Sequence, residues 1–189
     1  MSPRSAPLIL RARQSIAVAL AACLALLSAE TSADTPQQRE DRIKAALVFK
    51  LVKFVEWPVT ALAVNDPLLL CSLGDSPVGV ALAAVDGKPA RDHLAQFRRI
   101  GGLSLADVKG CHVLYIPGGA REIGGGVPVV LRGRSVLTVS DAPDFARRGG
   151  MVGLIQGENK IAFEINLRNA RESNLEPGAS LLELATVVE

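Results

Sequence analysis

Few side chains in this sequence are of the types that do chemistry, and their spacing suits it poorly. Imidazole is limited to His93 and His112. Nucleophilic catalysis needs a base held against the nucleophile, and no Gly-x-Ser-x-Gly turn leads into a helix. Ser140-Asp141 closes an apolar run, a place where α/β enzymes often set active groups. The same pair reads as a helix cap, and the cap is the favoured reading. An enzyme built on Ser140, Asp141 or His112 is therefore a rival hypothesis rather than the leading one. Pro117-Gly118-Gly119 to Gly124-Gly125-Gly126 follows an apolar run, as a phosphate loop would. No Gly-Lys-Ser/Thr follows it, the Gly-x-Gly-x-x-Gly spacing is absent, and the glycines at 124–126 would break the helix that should begin there. The residues give no catalytic set, no cofactor site and no four-ligand metal site.

Sulfur points to structure instead. Of three cysteines, Cys71 and Cys111 lie in the body of the chain. In an exported domain such a pair reads first as a disulfide, with two free buried thiols as the alternative. It would close a loop of about 40 residues, worth roughly 4 kcal/mol in the chain-entropy model.

Export itself is written at the N-terminus. Arg4, Arg11 and Arg13 precede the apolar run Ile16 to Leu27, and small residues follow it. That is the layout of a secretory signal peptide. Cleavage after Ala33 is favoured, with Ala29 as the other option. The apolar run is shorter than the roughly 20 residues a membrane span needs. Leu20-Ala21-Ala22-Cys23 resembles a lipobox, so lipidation at Cys23 competes with simple cleavage, although the apolar run continues past it. The segment 1–33 carries three arginines and one glutamate, so the formal charge of +2 falls to neutral once it is removed. A neutral domain 34–189 offers no basic surplus for nucleic acid or anionic lipid.

The elements that must position these residues alternate. A helix is expected from the polar lead-in to about Val55, stopped by Pro58. Strands are expected at 68–73, 93–100, 111–116, 136–140, 151–156 and 160–166, with short helices at 78–85, 104–108, 169–173 and 179–187. Alternation of this kind predicts an α/β class: a single-domain sandwich with a mostly parallel sheet, helices on both faces and an antiparallel C-terminal hairpin.

KAALVFKLVKFVEWP, residues 44–58, is the segment that composition alone does not explain. At 100° per residue Ile43, Leu47, Val48, Leu51, Val52, Phe54 and Val55 share a broad apolar face. Lys50, Lys53 and Glu56 lie opposite, with Phe49 and Trp57 beside them. Two aromatics on a polar face call for cover within the domain or for a protein partner. Lys44 points toward the apolar side, with a stem long enough to reach solvent. In the final strand Glu164 and Asn166 share one face and Phe163 and Ile165 the other. The first pair is a second candidate contact patch, against the plainer reading of a solvated sheet face.

In order, Ile43-Lys44-Ala45-Ala46 to Phe54-Val55-Glu56-Trp57-Pro58, Cys71-Ser72-Leu73-Gly74-Asp75, Cys111-His112-Val113-Leu114-Tyr115-Ile116, Val136-Leu137-Thr138-Val139-Ser140-Asp141, Phe145 to Val152, Lys160 to Asn166 and Ser180 to Ala185 resemble the YfiR/HmsC-like family of small periplasmic proteins. The resemblance covers roughly residues 40 to 187. It implies a non-enzymatic regulator that binds the periplasmic domain of an inner-membrane diguanylate cyclase and holds it inactive, lowering cyclic di-GMP and biofilm output. It also implies an outer-membrane lipoprotein that draws the repressor away, a second copy of the chain as a frequent partner, and a disulfide matching Cys71–Cys111. The partner-binding candidates are Phe49, Lys50, Lys53, Trp57, Glu164 and Asn166. A periplasmic small-ligand-binding or sensory module is the alternative function.

Overall fold

The computed structural model describes residues 34–189 apart from 125, 158 and 159. The signal-peptide segment 1–33 and Cys23 lie outside the described residues. Contacts divide the chain into Met1–Asp34 and Thr35–Glu189, and the second unit carries the whole α/β fold.

Its helix α1, Pro36–Val52, begins at a capping box. The Thr35 side chain accepts from the Gln38 backbone, the Gln38 side chain accepts from Thr35, and Pro36 occupies the first turn, where its missing N–H costs nothing. The helix stops three residues short of the expected Val55. Val55–Glu56 instead forms β1, antiparallel to β9 (Glu176–Pro177). Tertiary pairing thus claims the stretch before Pro58. The change of backbone turns Phe54 outward to 44% exposure and seats Val55 at 2%.

The main sheet holds β2 (Leu68–Leu73), β3 (Pro89–Ala90), β4 (His93–Ile100), β5 (Val113–Ile116), β6 (Leu137–Ser140), β7 (Val152–Gln156), β8 (Ile161–Asn166) and β10 (Thr186–Val188). Its order is β10-β8-β7-β6-β5-β2-β4-β3. The run from β4 through β7 is parallel, while β7–β8 and β3–β4 are antiparallel. The mostly parallel sheet and the C-terminal hairpin match expectation. The expected helix over 179–187 does not persist: α4 covers only Ala179–Leu182, and Thr186–Val188 pairs parallel with β8. Its Leu-Glu-Leu-Ala tract suits a helix, but Thr186-Val187-Val188 is β-branched and finds an open sheet edge.

Alternation along the strands sorts the core into two layers. Leu68, Leu70, Val113, Tyr115, Leu137, Val139, Val152, Leu154, Phe163 and Ile165 meet α1 and α2 (Pro77–Leu82) on one face. On the other, Cys71, Leu73, Leu114 and Ile116 meet the segments around Val108, Ile123, Leu131 and Phe145. Short 3₁₀ turns at Arg121–Ile123 and Val129–Leu131, rather than long helices, cover much of that second face. Gly79 in α2 lies so close to β2 that a Cβ there would collide with the Ser72 side chain.

Candidate functional site

Helix α1 runs antiparallel to the parallel strands, so its two ends meet opposite ends of the sheet. Midway along α1, Lys44 is buried at 8% exposure. Its Nζ lies 2.8 Å from Asp141 Oδ2 and 2.8 Å from Glu40 Oε1. Asp141 follows β6 directly, and its other oxygen accepts from Tyr115 Oη at 2.9 Å and from Gly118 N at 2.8 Å. Glu40 also accepts from Gln156 Nε2, at the end of β7. Every donor here has an acceptor, which is the condition under which buried charge is tolerated.

These contacts set the protonation states. Burial pushes the Asp141 carboxyl up, but hydrogen bonds from Lys44, Tyr115 and Gly118 outweigh it and hold the group below its ordinary value. Glu40 is held down chiefly by its hydrogen bond from Lys44. Burial opposes the charge on Lys44, and the two carboxylates outweigh that and raise it. Burial, reinforced by the Asp141 charge, drives the Tyr115 hydroxyl well above its ordinary value, so it serves as a donor.

At the other end of α1 the chemistry is neutral. Leu69 N donates to His112 Nδ1 at 2.9 Å, so Nε2 carries the hydrogen and donates to Ala61 O at 2.9 Å. Burial lowers the His112 pKa. Trp57 Nε1 donates to the His112 carbonyl at 3.3 Å. His112, before the amino end of β5, and Asp141, at the carboxyl end of β6, are thus at opposite ends of the strands. Ser140 Oγ accepts from Ala142 N. The three residues of the enzymatic rival are individually paired and form no triad. Of the Ser140-Asp141 pair read as a cap, Ser140 does bond the turn locally through Ala142 N, whereas the Asp141 carboxylate serves Gly118, Tyr115 and Lys44.

Beside Trp57, the residues Val52, Val55, Leu62, Leu68 and Ala90 line a cavity of about 310 Å³, with Glu56 and Arg91 at its rim. Among the partner-binding candidates, Lys50 and Lys53 are exposed and Phe49 is half-buried. Lys53 Nζ stands 5.0 Å from the Phe49 ring centroid, a cation–π distance. Phe49 and Trp57 both pack against the main core, so cover within the domain accounts for part of each ring. Glu164 and Asn166 share the second sheet face, as expected, but they are not solvated there: both are buried. Glu164 Oε1 meets Arg147 Nη2 at 2.6 Å. Asn166 caps α3 (Leu167–Glu172) through Asn169 N and donates to Ala146 O. The structure therefore separates the helix stripe from the Glu164–Asn166 pair, which is buried on the other sheet face and engaged by Arg147, Ala146 and Asn169.

Cys71 and Cys111 form a disulfide. Arg98 lies against it, with Nη2 3.2 Å from Cys111 Sγ and also bonded to the carbonyls of Asp107 and Lys109. Among the described residues no cluster of His, Cys, Asp or Glu is arranged to hold a metal ion, and no helix is long and apolar enough to cross a membrane.

The Lys44–Asp141 pair is the feature that sequence reasoning missed. Its signals were present: a lysine on an apolar helix face, a glutamate four residues earlier, and an aspartate directly after a buried strand. Nothing local says that residues 97 positions apart meet.

A family model described as YfiR/HmsC-like matches residues 41–186, nearly the whole of the α/β unit. No curated protein matches the chain.

Proposed function

Because the chain belongs to the YfiR/HmsC-like family, we propose that it is a periplasmic, non-enzymatic regulator that binds the periplasmic domain of an inner-membrane diguanylate cyclase and holds it inactive. The family match over residues 41–186 carries this reading. The family suggests regulation of a diguanylate cyclase from the periplasm; inhibition, and the choice of partner, are our additions. The separate pairing of Ser140, Asp141 and His112 supports a binding role over a hydrolytic one. Export would follow from the segment 1–33, and an outer-membrane lipoprotein and a second copy of the chain are further partners on this reading. The exposed ammonium groups of Lys50 and Lys53, with the free part of Phe49, would form the contact stripe, and Trp57 would fix its base. Glu164 and Asn166, buried and internally bonded, would support the 142–147 segment through Arg147 and Ala146 rather than meet the partner directly.

Deleting the gene and measuring cyclic di-GMP tests the proposal. The expected result is a rise in cyclic di-GMP and in biofilm, with recovery of a cyclase when the tagged protein is pulled down. A Lys50→Glu/Lys53→Glu variant should fold normally and fail to restore repression. No rise under any growth condition, with no cyclase captured, would sink the reading. The cavity beside Trp57 keeps a second function in view, a small-ligand sensory module. A stabilising thermal shift with a small apolar compound, lost in Leu62→Trp, would favour it.

A further inference from the structure

The two edges of the main sheet differ in how they are finished. One edge is β3, which is only two residues long and begins with Pro89, a residue with no N–H to offer. Arg91 directly after it takes φ 55°, a left-handed conformation that turns the chain off the strand direction. Proline and a short strand that is turned away are devices that keep an edge from pairing. The other edge is β10, Thr186-Val187-Val188, which pairs only with β8 and does so in unbroken register. It holds no proline or lysine, and its β-branched residues suit extension. Its outward backbone groups have no partner among the described residues.

Apolar surface and charge are arranged along that open edge. Leu184, just before the strand, is 74% exposed, and Val187 is 46% exposed on the face it shares with Ile165. Glu183 precedes the strand, exposed and without an ion pair among the described residues, and Glu189 follows it. Arg168 on α3 reaches Glu189, with Nη2 3.4 Å from Oε2, and both side chains stay open to solvent.

We propose that β10 pairs antiparallel with β10 of a second copy of this chain, joining two sheets edge to edge across a two-fold axis. The proposal rests on the reading of a second copy as a partner and names the surface it uses. Because β3 is blunted, sheet extension has one usable edge in each copy. Pairing is then isologous, the same strand on both sides, and it closes at a dimer instead of growing into a fibre. Antiparallel pairing also carries each copy's Glu183 toward the end where the other copy holds Glu189 and Arg168. Arg168 there stands between two carboxylates and offsets the like-charge contact they would otherwise make. The two Val187 side chains lie on the same face of the joined sheet, where cross-strand apolar contact adds to the backbone bonds. With three residues in each strand, the interface belongs to the small, reversible class.

Sedimentation equilibrium of the purified protein over a wide concentration range tests this. The expected result is a reversible monomer–dimer equilibrium that stops at two copies. Val187→Lys puts a lysine on the exposed edge and should weaken the dimer by about tenfold or more. Glu183→Arg and Arg168→Glu should each weaken it by about three- to tenfold. Combining the two reversals should restore the dimer, which a misfolded variant would not do. A monomer at every concentration overturns both the edge pairing and the second-copy reading. A dimer that none of these substitutions weakens overturns the edge pairing alone and moves the second copy to another surface. Assembly beyond two copies overturns it too, since that requires a second usable edge.

Discussion

In its second and third turns α1 is tied to the carboxyl ends of β5 and β6 by Glu40 and Lys44 through Asp141, all charged. Just past its last turn, the chain is tied to the amino end of β5 through Trp57 and a neutral His112, beside the Cys71–Cys111 bridge. One helix is thus held by ions as far as its midpoint and, just past its other end, by neutral hydrogen bonds near a covalent link. The difference predicts which conditions loosen which end. Ionic contacts respond to acid through their carboxylates, and the neutral end responds through imidazole and through reductant.

The covalent link gives the largest expected effect. Cys71→Ser should cost roughly 4 kcal/mol, the chain-entropy value for a loop of this length, measured as denaturant midpoint under oxidising conditions. Hydrogen exchange should rise first around Leu69 and His112 and least at Lys44 and Asp141. Equal midpoints with and without reductant in the parent protein would show that the bridge does not stabilise the amino end.

Asp141→Ala comes next. It strands the Tyr115 hydroxyl and the Gly118 N–H and removes one of the two carboxylates on Lys44. Breaking a buried pair costs about 3–5 kcal/mol. The lower part of that range applies because Glu40 still holds Lys44. A double-mutant cycle with Lys44→Met, read by chemical denaturation, should give a clear coupling energy. Additive effects would mean that the ion pair is not what clamps this end.

Acid should separate the ends by pH window. The folded pKa of His112 is depressed, so its contribution is complete above the unfolded value near 6.5 and is lost as pH falls below it. Asp141 and Glu40 are depressed too, but from carboxylate values near 4, so their contribution survives until pH falls below that. Lys44 is raised, so its share is present below about pH 10.4 and is lost as pH rises through the folded value. Denaturation midpoints should therefore drop modestly between pH 7 and 5 and again below 4. His112→Asn should flatten the first step alone. A first step that persists in that variant would move the titration elsewhere.

How far this contrast could be read from sequence differs between the ends. The strand at 68–73 falls on the expected residues because an apolar run bounded by turn residues leaves little choice, and the one at 93–100 because its loose alternation fits a strand. The cysteine pair needed only the export signal and an even count. The ionic clamp needed tertiary information: Lys44 sits on the apolar face for a reason found only on Asp141, across the sheet. β10 was hidden for the same kind of reason, since a free sheet edge decides against local helix preference. Glu164 and Asn166 were placed on the right face, but their burial came from the 142–147 segment, whose path the sequence pattern does not specify.

The smallest effect tests the neutral end most directly. Trp57→Phe keeps most of the apolar contact and removes only the Nε1 bond to the His112 carbonyl. A neutral hydrogen bond contributes about 1 kcal/mol. The loss here should be at the low end, because that carbonyl still accepts from Leu137 N at 2.8 Å. The substitution should shift the midpoint slightly at every pH and leave both acid steps in place, since it removes no titrating group. A loss of several kcal/mol would mean that the indole's packing against the core, rather than its hydrogen bond, holds the end of α1.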